Sequence, residues 1–132
     1  MSARLTVEIP RSYWLTANRT ITNHGHRRAI ITALHDITTL SARAQRLPAI
    51  ATPCAVTWTI HYPRGVGDVA DPVNAAPTTK ALMDALVPRW VARDDSRHIV
   101  RETFQRGPNL PGKGHLVVAT FETADTIKEG TT

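Results

Sequence analysis

The stretch CAVTWTIHYPRGVGDVADPVNAAPTTKALMDALVP, Cys54 to Pro88, changes its period twice. Its first nine residues put Ala55 or Val56 with Trp58 and Ile60 in a strand bounded by Pro53 and Pro63. The middle, PRGVGDVADPVNAA, is rich in glycine and proline and has no period, which predicts a loop. In the last part Ala81, Leu82, Ala85 and Leu86 recur at helical spacing. Pro77 suits the first turn, where its missing N–H would be unpaired anyway, and Pro88 stops the helix.

Toward the N-terminus, Leu5, Val7 and Ile9 alternate in a strand closed by Pro10, and a loop follows. From about Arg27 to Leu47, Ile30, Ala33, Leu34, Ile37, Leu40, Ala44 and Leu47 predict one apolar face of a long helix closed by Pro48. Toward the C-terminus, RHIVRETF and HLVVATFE read as two strands forming a closing hairpin around QRGPNLPGKG. The order β-α-β-α-β-β predicts an α+β fold, a small mixed sheet with two helices, as a single domain over residues 1–132.

Sixteen lysines and arginines against 11 acidic residues give a formal net charge of +5 and a pI near 10.1, which points to a polyanionic partner. The single cysteine, Cys54, excludes an internal disulfide framework and a multi-cysteine zinc site, and its apolar surroundings predict a buried, inert thiol. No apolar run approaches the ~20 residues of a membrane span. The N-terminus has no apolar signal core, so a cytoplasmic protein is expected. Trp14, Trp58 and Trp90 read as core or interface aromatics, since none sits in a stripe of interleaved basic and aromatic residues.

Magnesium prefers oxygen ligands, and nucleases gather carboxylates around one or two ions. Asp71 falls in the loop before the Pro77 helix, and Asp94 and Asp95 in the loop after it. Exposed loop aspartates are also common as merely solvated residues. Asn74 is placed either to orient a ligand or to cap the helix start. Lys80 is placed either to meet a phosphate or to form an i,i+4 pair with Asp84. A helix of about eleven residues is roughly 16 Å long, so its two flanking loops converge only if one folds back or a second subunit contributes.

The pattern Asp71, Asn74, Pro77, Thr78, Lys80, MDAL and the pair Asp94–Asp95 resembles the RusA family of Holliday-junction resolvases, particularly its phage-type members. The order of strands and helices follows that family along essentially the whole chain. The specific part runs from Asp71 to Asp95. The resemblance implies a RusA-like homodimer that binds four-way DNA junctions and cuts them with Mg2+, with Mn2+ as a substitute. It implies Asp71 and Asp95 as magnesium ligands, Asp94 and Asp68 as further candidates, Lys80 as the cation beside the scissile phosphate and Asn74 in support.

One position departs from the family pattern. Val73 stands where the second aspartate would be, and it cannot bind a metal. The alternative function is therefore a junction-binding protein without turnover on the same fold.

The expected DNA contacts form two sets. Arg19, Arg27 and Arg28, with His24 and His26, crowd the start of the long helix, where free backbone N–H groups also favour phosphate. Arg101, Arg106 and Lys113, with His115, surround the expected hairpin.

Overall fold

A computed structural model describes residues 2–67 and 70–123. Asp68, one of the candidate ligands, lies outside the described residues. The elements are β1 (Ser2–Ile9), a 3-10 turn (Arg11–Tyr13), α1 (His24–Ala44), β2 (Cys54–His61), a second 3-10 turn (Pro72–Ala75), α2 (Ala76–Leu86), β3 (Ile99–Arg106) and β4 (His115–Thr123). The architecture is the expected α+β arrangement of one four-stranded mixed sheet and two helices.

The strand order is β1-β4-β2-β3. β4 runs antiparallel to both β1 and β2, while β2 and β3 are parallel. The expected closing hairpin is therefore absent, because β2 lies between the last two strands. The burial pattern accords with the insertion: β4, paired at both edges, buries Val117, Ala119 and Phe121 on one side and half-buries Leu116 and Val118 on the other. β3 leaves Val100, Arg101, Glu102, Thr103 and Gln105 exposed, which suits an edge strand. Parallel pairing of β2 with β3 requires a crossover, and α2 is the helix within it.

In the ladder Val56, Trp58 and Ile60 stand opposite Phe121, Ala119 and Val117, which in turn face Ala3, Leu5 and Val7. Nearly all of these side chains are buried, and with the helices they enclose a single core.

α1 starts earlier and ends earlier than its apolar spacing suggests. Asn23 caps it by accepting the His26 N–H at 2.9 Å. Its end is a Schellman turn: Arg46 takes a left-handed φ of 54°, and the N–H groups of Arg46 and Leu47 donate to Arg43 and Ala42. Leu47 is buried just past the helix. The buried stripe is Ile30, Leu34, Thr38 and Ala42, at steps of four. The polar Thr38 fits because its hydroxyl donates to the Leu34 carbonyl at 2.7 Å. Leu40, expected in the core, is 64% exposed. Beyond the helix, Gln45 bonds both backbone groups of Thr6 through its side-chain amide, covering the free edge of β1.

Candidate active site

α2 is stapled to the loop ahead of α1. The buried Thr78 hydroxyl accepts the Leu15 N–H at 2.9 Å and donates to the Leu15 carbonyl at 2.7 Å, and the Ala17 N–H donates to the Asn74 carbonyl. These bonds bring Arg19, His24 and Arg27 alongside the first turns of α2. A groove of about 430 Å³ there is lined by Arg19, His24, Arg27 and Pro77 among others.

Asp71, rather than Asn74, does the capping. Its Oδ1 accepts the Val73 N–H at 3.1 Å, and Pro72 opens the 3-10 turn that runs into α2. Ala75 precedes α2 without a side-chain cap, and Asn74 contributes its backbone carbonyl. Val73, at the position of the missing family carboxylate, is 48% exposed.

The segment after α2 folds back along the helix. The Trp90 N–H donates to Leu86, and the Trp90 carbonyl accepts from Ile50, so the chain turns at the helix end. Asp94 thereby reaches Lys80, six residues before the end of α2. Its Oδ2 lies 2.9 Å from Lys80 Nζ, which also pairs with Asp84 at 3.1 Å. Those two hydrogen bonds, Asp94 first, raise the lysine's pKa. Within the chain the loop beyond α2 thus reaches Lys80, while among the described residues no hydrogen bond or ion pair joins Asp94 to Asp71 in the loop before the helix.

Asp94 and Asp95 divide their roles. Asp95 turns its Oδ1 to its own loop, accepting from the backbone of Arg97 and His98 and lying 2.6 Å from His98 Nδ1. The His98 hydrogen bond is the chief cause holding the Asp95 carboxyl below its usual range. Asp94 is the member of the pair that enters the site.

Beside Lys80 lies a cleft of about 530 Å³, lined by Arg27, Pro77, Thr79, Lys80, Asp94 and Glu102 among others. It shares Ala17, Arg27 and Pro77 with the groove carrying Arg19 and His24, so one continuous surface holds both carboxylates and cations. Glu102 was not foreseen. Its register opposite Val56, two residues from Phe104 opposite Trp58, puts it on the core face of β3, and its Oε2 accepts the Trp58 indole N–H at 3.2 Å. The available signal was strand alternation, which assigns Glu102 and Phe104 to one side.

Among the described residues no three His, Cys, Asp or Glu side chains gather as a metal-binding group. Magnesium typically takes only one or two carboxylates and completes its shell with water and substrate phosphate. Asp94 Oδ1 and Glu102 Oε1, both in the cleft, accept no hydrogen bond among the described residues and are oxygen donors of the kind this ion takes. The residues present fit it.

The second expected basic set is dispersed. Arg101 alternates with Glu102 and so faces the other side of the sheet, and Lys113 is exposed in the connection between β3 and β4. Arg106 is half-buried and bonded to backbone carbonyls. His115 is buried, stacks on Trp14 at 3.7 Å between ring centroids, and has its pKa lowered by burial to about 4. Arg28 is exposed on α1, outside the lining of both grooves. Cys54 is fully buried, and burial raises its thiol pKa, as expected of an inert thiol. Among the described residues no helix is long and apolar enough to cross a membrane.

No protein-family model matches the chain, and a search of curated proteins finds no match either.

Proposed function

We propose that the chain is a structure-selective, magnesium-dependent endonuclease that resolves four-way DNA junctions. The observation that carries the reading is the return of the loop after α2, which sets Asp94 on Lys80 in a cleft that Glu102 and Arg27 also line. Of the RusA-like pattern it joins Lys80 to Asp94, with Pro77 in the same lining.

Asp94 and Glu102 would hold magnesium, with Asp94 replacing Asp95 in the role first expected of the pair; Asp71, which lines neither groove, is carried into the site by the RusA-like pattern alone. Bound there, the ion would withdraw charge from the phosphodiester under attack. Lys80, released from Asp94, meets the charge developing on the phosphoryl or leaving oxygen. Arg19 and Arg27 hold the backbone of an arm through phosphate contacts, which read shape and carry no base sequence. A homodimer would match the two-fold symmetry of a junction and make paired cuts.

One observation favours a second reading, a junction-binding protein without turnover: an exposed Val73 replaces a family carboxylate. The two separate on a labelled four-way junction, tested with magnesium, with manganese and without metal, beside a linear duplex of equal length. Symmetric metal-dependent cuts, lost in Asp94→Asn and Glu102→Gln, are expected. Retention of the junction without cuts in either metal would overturn the enzyme and leave the binding protein.

A further inference from the structure

Arg106 sits at the end of β3, where a surface cation for DNA was expected. Its guanidinium instead lies over the Tyr62 ring, 4.6 Å from the centroid. Nη1 donates to the Ala70 carbonyl at 3.1 Å, and Nη2 donates to the Val66 carbonyl at 3.4 Å and to Asn109 Oδ1 at 2.8 Å. Asn109 reaches the same segment, its Nδ2 donating to the carbonyls of Val66 at 2.7 Å and Pro63 at 3.5 Å. Tyr62 in turn directs its hydroxyl to the Asp71 carbonyl at 3.4 Å. Arg106 thus grips the chain entering Asp71 at Val66 and Ala70, while the ring beneath it contacts Asp71 itself.

We infer that Arg106 and Asn109 are positioning residues for Asp71: a clamp from the C-terminal end of β3 that fixes the approach of the chain to this residue. The chemistry suits the task. The carbonyls of Val66 and Ala70 lie outside helix and sheet, and each needs a donor. A planar guanidinium supplies several donors in a fixed fork, and its flat face stacks on tyrosine. A lysine in its place keeps the charge but loses both the fork and the stacking. Tyr62 feels both neighbours: burial is the main cause raising its hydroxyl pKa, with Arg106 opposing and Asp71 adding.

The clamp stands on its own geometry, whereas its consequence for cleavage rests on the nuclease reading. The experiment compares Arg106→Lys, Arg106→Gln and Asn109→Ala with the wild-type chain and with Arg43→Gln, at an exposed position near the end of α1, as a surface control. Three quantities are measured: amide hydrogen exchange over residues 63–74, the magnesium concentration for half-maximal junction cleavage, and the salt dependence of junction binding. The clamp predicts faster exchange over 63–74 in all three clamp variants, the lysine substitution included. It predicts a half-saturating magnesium concentration raised roughly 10–100-fold, as when a ligand loses its outer support, with the salt slope of binding unchanged. A phosphate contact predicts the reverse: Arg106→Lys behaves as wild type, and Arg106→Gln lowers the salt slope by about 1. That result, or unchanged exchange in the variants, overturns the proposal. If the wild-type chain never cuts, the nuclease reading fails, and exchange over 63–74 alone still decides for or against the clamp.

Discussion

The two ends of α2 hold their carboxylates by different means. Before the helix, Asp71 caps a 3-10 turn and is tied through Tyr62 and Ala70 to a half-buried guanidinium. After the helix, Asp94 rests on Lys80, whose side chain is 63% exposed. Several bonds from part-buried groups act together and resist displacement. A pair between an exposed lysine and a partly covered aspartate, 25% exposed, is screened by water and salt and contributes about 0–1 kcal/mol. The backbone at Asp71 is therefore held by several bonds, whereas Asp94 depends on its pair with a mostly exposed lysine.

The sharpest way to break that contrast is to remove each charge in turn. Asp71→Asn and Asp94→Asn are each expected to lower magnesium-dependent junction cleavage by roughly 100-fold or more, the scale of losing a stabiliser of transition-state charge. Junction affinity, read in a gel, should stay the same or rise. Full activity in the Asp94 variant would make Asp94 no more than a surface partner of Lys80.

Next in size is the staple that aligns the two halves of the site. Thr78→Val leaves the Leu15 N–H and carbonyl buried without their partner, at about 1–3 kcal/mol for each unsatisfied group. Urea unfolding should show a loss of this order, with Thr78→Ser close to wild type. A loss equally large in the serine variant would mean that methyl packing, and not the hydroxyl, holds the loop.

Acid should act at a third place. Buried between Trp14 and Tyr62, His115 stays neutral down to about pH 4, whereas an imidazole in the unfolded chain takes its proton near 6.5. The unfolded state therefore binds the proton first, and stability falls as pH drops from about 6.5 through about 4. The loss is on the order of 2 kcal/mol after allowance for solvent screening. His115→Phe keeps a ring against Trp14 and should flatten this part of the stability–pH curve. An unchanged curve would assign the acid sensitivity elsewhere.

The smallest effect belongs to the exposed pair within α2. Asp84→Asn should change stability by no more than about 0.5 kcal/mol, because Lys80 keeps Asp94 and both partners of the lost pair are solvated. A larger change in urea would show that the lysine network is a structural part of the fold.

The eight residues of β2 and the eleven of α2 were legible because Val56, Trp58 and Ile60 alternate and Ala81, Leu82 and Leu86 recur at helical spacing, between proline boundaries. The hairpin expectation failed because alternation tells which face of a strand is buried and nothing of its neighbour. Leu40 misled for a related reason: an apolar residue at helical spacing looks the same whether or not a sheet lies opposite it.

By itself the sequence determined the elements, the α+β class, the basic charge and the buried thiol, all properties of neighbours along the chain, while the resemblance alone supplied Asp71, Asp95 and Lys80 as leading candidates and Asp94 as a further one. Tertiary structure alone decided that β4 sits in the middle of the sheet, that Asp94 and not Asp95 meets Lys80, that Glu102 joins them, and that Arg106 serves a loop. Each of these depends on contacts between residues distant in sequence. Such contacts are set by how the whole chain buries its apolar surface and satisfies its backbone, and an exposed arginine and a clamped one are the same letter until the chain has folded.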